Sequence, residues 1–394
     1  MIPVEALSTD VTHSLSRLLR DENSVSDLIA YLFALDPHSF LGGRFGDLTE
    51  PRLRREQNLM GGDGGTELFG RADLLLQDGS EPIALFEVKV TAGEHGEQLA
   101  NYVSWAAGLQ AKTGIFPKRF VFCLDSFITE LPETFELISL VEVFDSFSKS
   151  ANPAVSHLAS HICWAFSHWI SQRDGVLGSH SSHVYTGLAV KQAAHEIAQS
   201  EWARDTGWWH DRYFTVNGPS AALYSFVPIE GAPERVWTSV DVRAGSHQNP
   251  ELPWSFRMGI QAAWGQWVPS EGTPSLEGLT ARTVEEAQAI ALRIAQAIRQ
   301  SLTVSSFRDY LRGRGEDMLA GYLSSNTKYG NGLPGSGAAF GFYNDLQRRR
   351  LSNILKLDVL SITHKDLQQL VRFAHEYLQE TLAKVDLQEL LERK

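Results

Sequence analysis

Three charged residues interrupt apolar stretches that have the composition of β-strands. Glu87 and Lys89 lie two positions apart in residues 85–90, LFEVKV, and Asp73 lies in residues 70–77, GRADLLLQ. Because successive side chains of a strand point to opposite faces, we expect Glu87 and Lys89 on the same face. Burying either charge alone is costly, whereas a metal ion or an opposite charge would satisfy it.

The spacing of Asp73 and Glu87 predicts a site for a divalent cation. An Asp78-Gly79-Ser80 turn separates their strands, and an Asp-Gly pair between apolar runs is a strong hairpin signal. The two carboxylates can therefore converge on one cation. Their hard oxygen ligands suit magnesium or manganese better than zinc. Such a cation could lower the pKa of a water that attacks a phosphodiester and offset the charge that develops on phosphorus.

Three further side chains are predicted to lie beside this site. Lys89 would lie next to the water and the phosphate, where it could orient or deprotonate the water or stabilise the transition state. Gln98 and Tyr102 are one helical turn apart on the following predicted helix, so both could reach back toward the site. The alternative is an interstrand ion pair between Asp73 and Lys89, with Glu87 in solvent at a strand end.

The elements that must position these side chains follow the order helix, three strands, helix, strand. The sequence pattern predicts a helix over residues 22–35, strands over 54–60, 68–77 and 82–90, a helix over 94–109 and a strand over 119–124. The second helix would serve as a crossover, so that the last strand can run parallel to an earlier one.

This order and these motifs resemble the PD-(D/E)XK nuclease superfamily. The similarity lies in Asp73, then Glu87-Val88-Lys89 after a hairpin, then Gln98-Leu99-Ala100-Asn101-Tyr102. The chain is also similar to a bacterial branch with an early acidic helix, an RE strand and a GRxD strand. These motifs are here Glu22 before SDLIAYLFALDP, then Arg55-Glu56, then Gly70-Arg71-Ala72-Asp73. The resemblance covers roughly a third of the chain, and the aspartate motif lacks its proline.

The resemblance implies a fold and an activity. The implied fold is an α/β, restriction-endonuclease-like mixed-sheet core of order α-β-β-β-α-β. The implied activity is endonucleolytic hydrolysis of DNA phosphodiester bonds with Mg²⁺ or Mn²⁺. Defence against foreign DNA is the corresponding role by analogy. The competing functions are a non-catalytic nucleic-acid- or protein-binding module on a nuclease fold, and an RNA nuclease.

The resemblance also implies a role for each site residue. The implied metal ligands are Asp73, Glu87 and Glu56, with Glu22 as a less favoured alternative to Glu56. The implied catalytic residues are Lys89, Glu87, Asp73, Gln98, Glu56 and Tyr102, and the implied substrate-binding residues are Arg55 and Arg71. Because Glu56 lies beside Arg55, a surface ion pair is the alternative for it. Glu22 could instead favour the dipole of its helix.

The charge of the chain bears on this activity. The net charge is −12, and residues 1–150 hold 12 basic and 23 acidic residues, or −11. Nucleic-acid binding normally needs a basic surface, and an acidic domain repels DNA at long range. We therefore expect a local basic rim of Arg52, Arg54, Arg55 and Arg71, or a protein partner or second copy of the chain that delivers DNA.

The 394 residues are predicted to divide into a nuclease domain (1–150), a helical connector and linker (151–182) and an α+β accessory domain (183–394). In the last two regions we predict helices over 153–172, 185–201, 284–302, 307–324 and 365–391, strands over 212–216, 221–227 and 236–243, and a glycine-rich loop over 326–342. Tryptophans crowd the middle of the chain, and aromatic side chains can stack unpaired bases, although most belong to cores or interfaces. No stretch approaches the ~20 apolar residues needed to cross a bilayer. We expect a cytoplasmic protein with no membrane partner.

Overall fold

The chain divides into two compact units, Met1–Ser171 and Gln172–Lys394. The computed structural model describes residues 15, 18–61, 67–90, 98–124, 131–177, 184–214, 221–232, 236–244, 254–262, 289–291, 293–298, 301–325, 351–359 and 362–392. The division lies within the predicted connector, and the helix that begins at Pro153 belongs to the first unit except for its last two residues, Gln172 and Arg173. The predicted glycine-rich loop lies outside the described residues.

The first unit contains the predicted succession of helix, three strands, helix and strand. Its elements are α1 (Glu22–Leu35), β1 (Pro51–Gly61), β2 (Glu67–Asp78), β3 (Glu81–Lys89), α2 (Gln98–Thr113), β4 (Lys118–Cys123), β5 (Phe135–Ser139), α3 (Leu140–Ser148) and α4 (Pro153–Arg173). The short β5 and α3 were not predicted, because five residues of strand followed directly by nine of helix leave little room for either periodicity.

The first unit is built on a five-stranded mixed sheet in the order β1-β2-β3-β4-β5. The pairs β1–β2 and β2–β3 are antiparallel, whereas β3–β4 and β4–β5 are parallel. Helix α2 therefore makes the predicted crossover between β3 and β4. The restriction-endonuclease-like assignment is finer than this architecture and remains a proposal.

The two faces of this sheet are covered differently. One face carries aromatic rings in mutual contact, from Phe86, Phe120 and Phe122 of the strands and from Phe40 and Phe147 beside them. The other face packs under α2 through Leu85, Val121, Tyr102, Trp105 and Ala106. Because Glu87 and Lys89 follow Leu85 at alternate positions of β3, they share the face beneath α2.

The second unit contains an antiparallel sheet and helices. Its elements are α5 (Val184–Ala198), α6 (Glu201–Thr206), β6 (Trp209–Phe214), β7 (Ala221–Pro228), β8 (Val236–Arg243), β9 (Trp254–Ala262), α7 (Val304–Gly313), α8 (Asp317–Tyr322), β10 (Leu323–Ser325), β11 (Leu351–Val359), α9 (His364–Leu382) and α10 (Leu387–Glu392). The strand order is β10-β11-β9-β8-β7-β6. Residues 289–291 and 293–297 are also helical, within the predicted helix 284–302.

Two predicted helices of the second unit are each interrupted. Gly315, with φ +81°, separates α7 from α8, and the chain then enters β10 instead of continuing as helix to Ser324. The last predicted helix breaks before Leu387, where the Asp386 carboxylate accepts a hydrogen bond from the Glu389 N–H at 2.9 Å and begins α10. No helix in the part of the chain that the structure describes has the length and apolar character of a membrane span.

Candidate functional site

An irregularity in the β1–β2 pairing brings the backbone of β2 close to α2. The register shifts between Leu59 and Met60, beside Gly70, whose φ is +144°. A Cβ atom at Gly70 would lie 3.3 Å from Cε1 of the Tyr102 ring. Glycine therefore permits the close approach in which the Tyr102 hydroxyl lies 2.6 Å from the carbonyl oxygen of Arg71.

Asp73 and Glu87 face one another across β2 and β3. Leu74 pairs with Phe86, so Asp73 lies across from Glu87. The Val88 N–H donates a hydrogen bond to Asp73 Oδ2 at 2.8 Å, which holds this carboxylate against β3. The charge of Asp73 raises the pKa of Glu87, so the two carboxylates are close enough to interact. The structure thus brings together the pair on which the sequence argument depends.

Lys89 makes a buried ion pair with Glu87. Its Nζ lies 2.7 Å from Glu87 Oε1, and the Lys89 and Glu87 side chains are only 9% and 2% exposed. The alternative of a solvated Glu87 beside an Asp73–Lys89 pair is therefore wrong. Burial opposes the charged form of Lys89, but the charge and hydrogen bond of Glu87 outweigh it and raise the pKa of Lys89. Lys89 is consequently an ammonium at neutral pH.

The carboxylates of the site are costly to ionise. Burial raises the pKa of Glu87 to about 7, and the charge of Asp73 adds to this rise while Lys89 opposes it. Burial also raises the pKa of Asp73, against the hydrogen bond from Val88 and the charge of Lys89. One ammonium does not compensate these carboxylates, so the site favours an additional positive charge.

Tyr102 links α2 to the carboxylate of Glu87. Gln98 Nε2 donates to the Tyr102 hydroxyl oxygen at 2.8 Å, and this oxygen lies 2.9 Å from Glu87 Oε2. A tyrosine hydroxyl has one proton to donate. When Glu87 is protonated it can donate to Tyr102, which then donates to the Arg71 carbonyl. When Glu87 is ionised, Glu87 and Arg71 compete for the same proton. Burial raises the pKa of Tyr102, so its hydroxyl stays neutral.

Glu22 reaches the site from α1. The Asp21 side chain caps this helix by accepting a hydrogen bond from the Ser24 N–H at 3.0 Å, and Glu22 follows as the first helical residue. Glu22 Oε1 accepts a hydrogen bond from the Val90 N–H at 3.0 Å. Its charge contributes to the raised pKa of Asp73 and of Lys89. Glu22 therefore belongs to the cluster, although the sequence argument preferred Glu56.

Glu56 instead lies among arginines. Its side chain is 40% exposed, with Oε2 3.6 Å from Arg71 Nη1 and Oε1 3.9 Å from Arg55 Nη2. Its φ of +47° is unusual for a residue in a strand. These contacts agree with the alternative interpretation of Glu56, in which it forms a surface ion pair. Spacing along the chain could not choose between Glu22 and Glu56, because the choice depends on how α1 packs against β3.

The two predicted substrate-binding arginines have different surroundings. Arg55 pairs with Asp27, and its Nη2 donates to the Asn23 carbonyl oxygen at 3.3 Å, so that it ties β1 to α1. The Arg71 side chain is 59% exposed and is paired with Glu56. Arg71 is therefore better placed than Arg55 to meet an external phosphate.

Asp73 and Glu87 together offer the oxygen donors that a hard cation takes. Within the described residues, no group of three or more His, Cys, Asp and Glu side chains is arranged to hold a metal ion. Mg²⁺ often binds through one or two protein carboxylates, several waters and substrate phosphates. The half-buried Asp73 and the buried Glu87, both with raised pKa values, fit that requirement. Comparisons of the chain with protein-family models, with curated proteins and with solved structures found no match.

Proposed function

We propose that the first unit is a divalent-metal-dependent endonuclease that hydrolyses DNA. The observation that carries this proposal is the buried cluster in which Glu87 contacts Lys89 and Tyr102 and interacts with Asp73. Replacing a buried ionic cluster by apolar residues is often neutral or stabilising. A cluster with this cost is therefore better explained by chemistry than by folding, which argues against the non-catalytic alternative.

The residues of the cluster have separable tasks in this proposal. Asp73 and Glu87 would hold the cation, which when bound supplies a water of lowered pKa and neutralises charge on the phosphate. The Val88 N–H orients Asp73, and Tyr102 with Gln98 orients Glu87. Glu22 would be the additional acidic residue. Because its pKa is raised, Lys89 is suited to stabilise the charge that develops on phosphate and not to remove a proton.

DNA must reach this site against the acidity of the unit. Residues 1–150 carry a net charge of −11. Of the four arginines of the proposed rim, Arg52 pairs with Glu50, Arg55 with Asp27, and Arg71 with Glu56. Electrostatic attraction from this rim is therefore small. We propose that a protein partner or a second copy of the chain supplies most of the DNA affinity, in a host role of defence against foreign DNA.

The test is cleavage of supercoiled plasmid by the full chain with Mg²⁺ or Mn²⁺, and its loss with EDTA. Asp73→Asn, Glu87→Gln and Lys89→Met should each abolish nicking. Glu81→Gln in β3 and Lys112→Met in α2 are matched controls at exposed positions and should cut as the parent does. Full activity in all three site variants would overturn the proposal. A parallel single-stranded RNA substrate tests the RNA alternative, since preferential RNA cleavage would replace DNA as the substrate.

A further inference from the structure

Helix α4 carries a row of ring side chains on the side opposite its buried one. The buried side recurs at helical spacing and includes Val155, Ala159, Ile162, Phe166 and Trp169. The second row is displaced from these positions by two residues, which is about 200° around the helix axis. It consists of His157, His161, Trp164 and His168. His157 is exposed and the other three are half-buried, so this row is open to solvent.

The rings of His157 and His161 meet through the same kind of nitrogen atom. The two residues are four apart on α4, which makes them neighbours on the helix surface. Their Nε2 atoms are 3.2 Å apart, and their ring planes are nearly perpendicular, at 86°. When both rings are neutral, one Nε2 can donate a hydrogen bond to the other. Water competes for such a bond at an exposed position, so it contributes little to the stability of the fold.

The separation of the two Nε2 atoms suits a single transition-metal ion. Histidine nitrogens bind Zn²⁺ at about 2.0–2.1 Å. An ion at this distance from both nitrogens, which are 3.2 Å apart, would have an N–metal–N angle of about 100°. This angle lies between the ligand angles of an octahedron and those of a tetrahedron. Two histidines four residues apart on one face of a helix also form part of the zinc site of metalloproteases.

The remaining coordination positions of such an ion are open. Among the described residues, no third His, Cys, Asp or Glu side chain is placed to join the pair. Nδ1 of His161 is buried and has no hydrogen-bond partner within the described part of the chain. Coordination through Nε2 leaves the ring proton on this Nδ1, and the lack of an acceptor there weakens a histidine site. We therefore expect water in the remaining positions and an ion that exchanges readily.

We propose that His157 and His161 bind a divalent transition-metal ion of the zinc, copper and nickel class. Imidazole suits these ions, whereas the carboxylates of Asp73 and Glu87 suit magnesium or manganese. Two cation sites of different preference then lie in the first unit. The histidine site shares no residue with the carboxylate cluster, so it goes beyond the nuclease proposal and does not depend on it.

The test is calorimetric titration of the full chain with ZnCl₂, after treatment with EDTA and desalting, in excess Mg²⁺ to saturate sites for hard cations. The parent should bind Zn²⁺ saturably, and it should bind Cu²⁺ more tightly than Zn²⁺ or Ni²⁺. His157→Ala and His161→Ala should each weaken Zn²⁺ binding by roughly tenfold or more, because one of the two protein ligands is lost.

His168→Ala is the matched control on the same helix. His168 lies seven residues from His161, which is about 10 Å along α4, and its ring stacks on Trp164 with centroids 5.2 Å apart. It is therefore too far along the helix to share the ion, and this variant should bind Zn²⁺ as the parent does. Far-UV circular dichroism checks that all three variants keep their helices.

Three results would overturn the histidine site. They are no Zn²⁺ binding by the parent, Zn²⁺ binding by both His157→Ala and His161→Ala that equals that of the parent, or an equal loss in His168→Ala. Should His161→Ala fail to fold, His157→Ala gives the same test at an exposed position. Asp73→Asn should retain the Zn²⁺ site while it loses plasmid nicking, so failure of the nuclease proposal and failure of this one are distinguishable.

Discussion

Glu87 is the residue through which the candidate site responds to pH. Its folded-state pKa of about 7 lies above the ordinary value of 4.5. A raised pKa in an acid means that the folded protein holds the proton more tightly than the unfolded chain. The stability that Glu87 contributes is therefore fully present below pH 4.5 and is lost as the pH rises through about 7.

Glu87→Gln should remove this pH dependence in protein kept free of metal by EDTA. Relative to the variant, the parent should lose on the order of 1–3 kcal/mol of unfolding free energy between pH 5 and pH 8. Urea denaturation at the two pH values measures the difference, and Glu81→Gln, exposed on the same strand, is the control. Parallel changes of the unfolding free energy with pH in the parent and in Glu87→Gln would contradict a raised pKa of the buried Glu87 carboxyl.

Asp73 and Glu87 should also make the protein more stable in the presence of Mn²⁺. A cation that binds only the folded state stabilises it by mass action, by about 2.7 kcal/mol at a concentration one hundred times its Kd. We expect Mn²⁺ at pH 8 to raise the melting temperature of the parent and to have little effect on Asp73→Asn. An equal shift in both proteins would show that Mn²⁺ binds elsewhere.

Glu22 and Glu56 give opposite predictions for the same substitution. Glu22 accepts a hydrogen bond from Val90 and its charge acts on Asp73, whereas Glu56 pairs with Arg71. Glu22→Gln should therefore lower the plasmid-nicking rate by roughly tenfold or more, and Glu56→Gln should leave it within about threefold. A larger loss of nicking rate in Glu56→Gln than in Glu22→Gln would instead identify Glu56 as the additional acidic residue. Far-UV circular dichroism of both variants checks that the fold is retained.

At the scale of the elements, the packing of α2 on β2 depends on Gly70. An added Cβ would crowd the Tyr102 ring at 3.3 Å, and a φ of +144° disfavours any L side chain. Gly70→Ala should destabilise the protein by about 1–3 kcal/mol. Gly108→Ala is the control on α2 itself, where no atom lies within 4 Å of the added Cβ, and helix propensity predicts a gain of about 0.5–1 kcal/mol. Chemical denaturation of the two variants measures both effects, and equal effects would contradict the packing argument.

The helices and strands of the first unit from α1 to β4 could be predicted because their signals are local. The Asp78-Gly79 turn and the apolar runs around Glu87 predict a hairpin that the structure contains. The acidic residue nearest the cluster could not be predicted, because Glu22 meets Val90 through a contact that spans 68 residues of sequence. In strand β9, apolar side chains alternate at Trp254, Phe256, Met258 and Ile260. Its partner β11 nevertheless begins 89 residues after β9 ends (351 − 262). Short-range sequence patterns do not predict pairings over such a separation.

At the scale of the whole molecule, charge limits how the proposed nuclease can bind DNA. The net charge is −12. For a protein that neutralises Z phosphates, the logarithm of the binding constant falls with the logarithm of the salt concentration with a slope of about −0.9Z. Arg54 and Arg71 are exposed arginines of the rim, and the charge of Arg71 acts on Asp73. Contacts by these two predict a slope of about −2, far from the value of about −10 reached by a strongly basic DNA-binding protein.

This slope can be measured by fluorescence anisotropy of a labelled duplex, with Ca²⁺ in place of Mg²⁺ to prevent cleavage. The full chain alone should bind weakly, and Arg71→Gln should reduce the slope by about 1 while affecting all sequences alike. Lys112→Met in α2 is the control for removal of an exposed charge and should leave the slope unchanged. A slope steeper than about −5 would show more phosphate contacts than these two arginines supply, and the need for a partner that delivers DNA would then disappear.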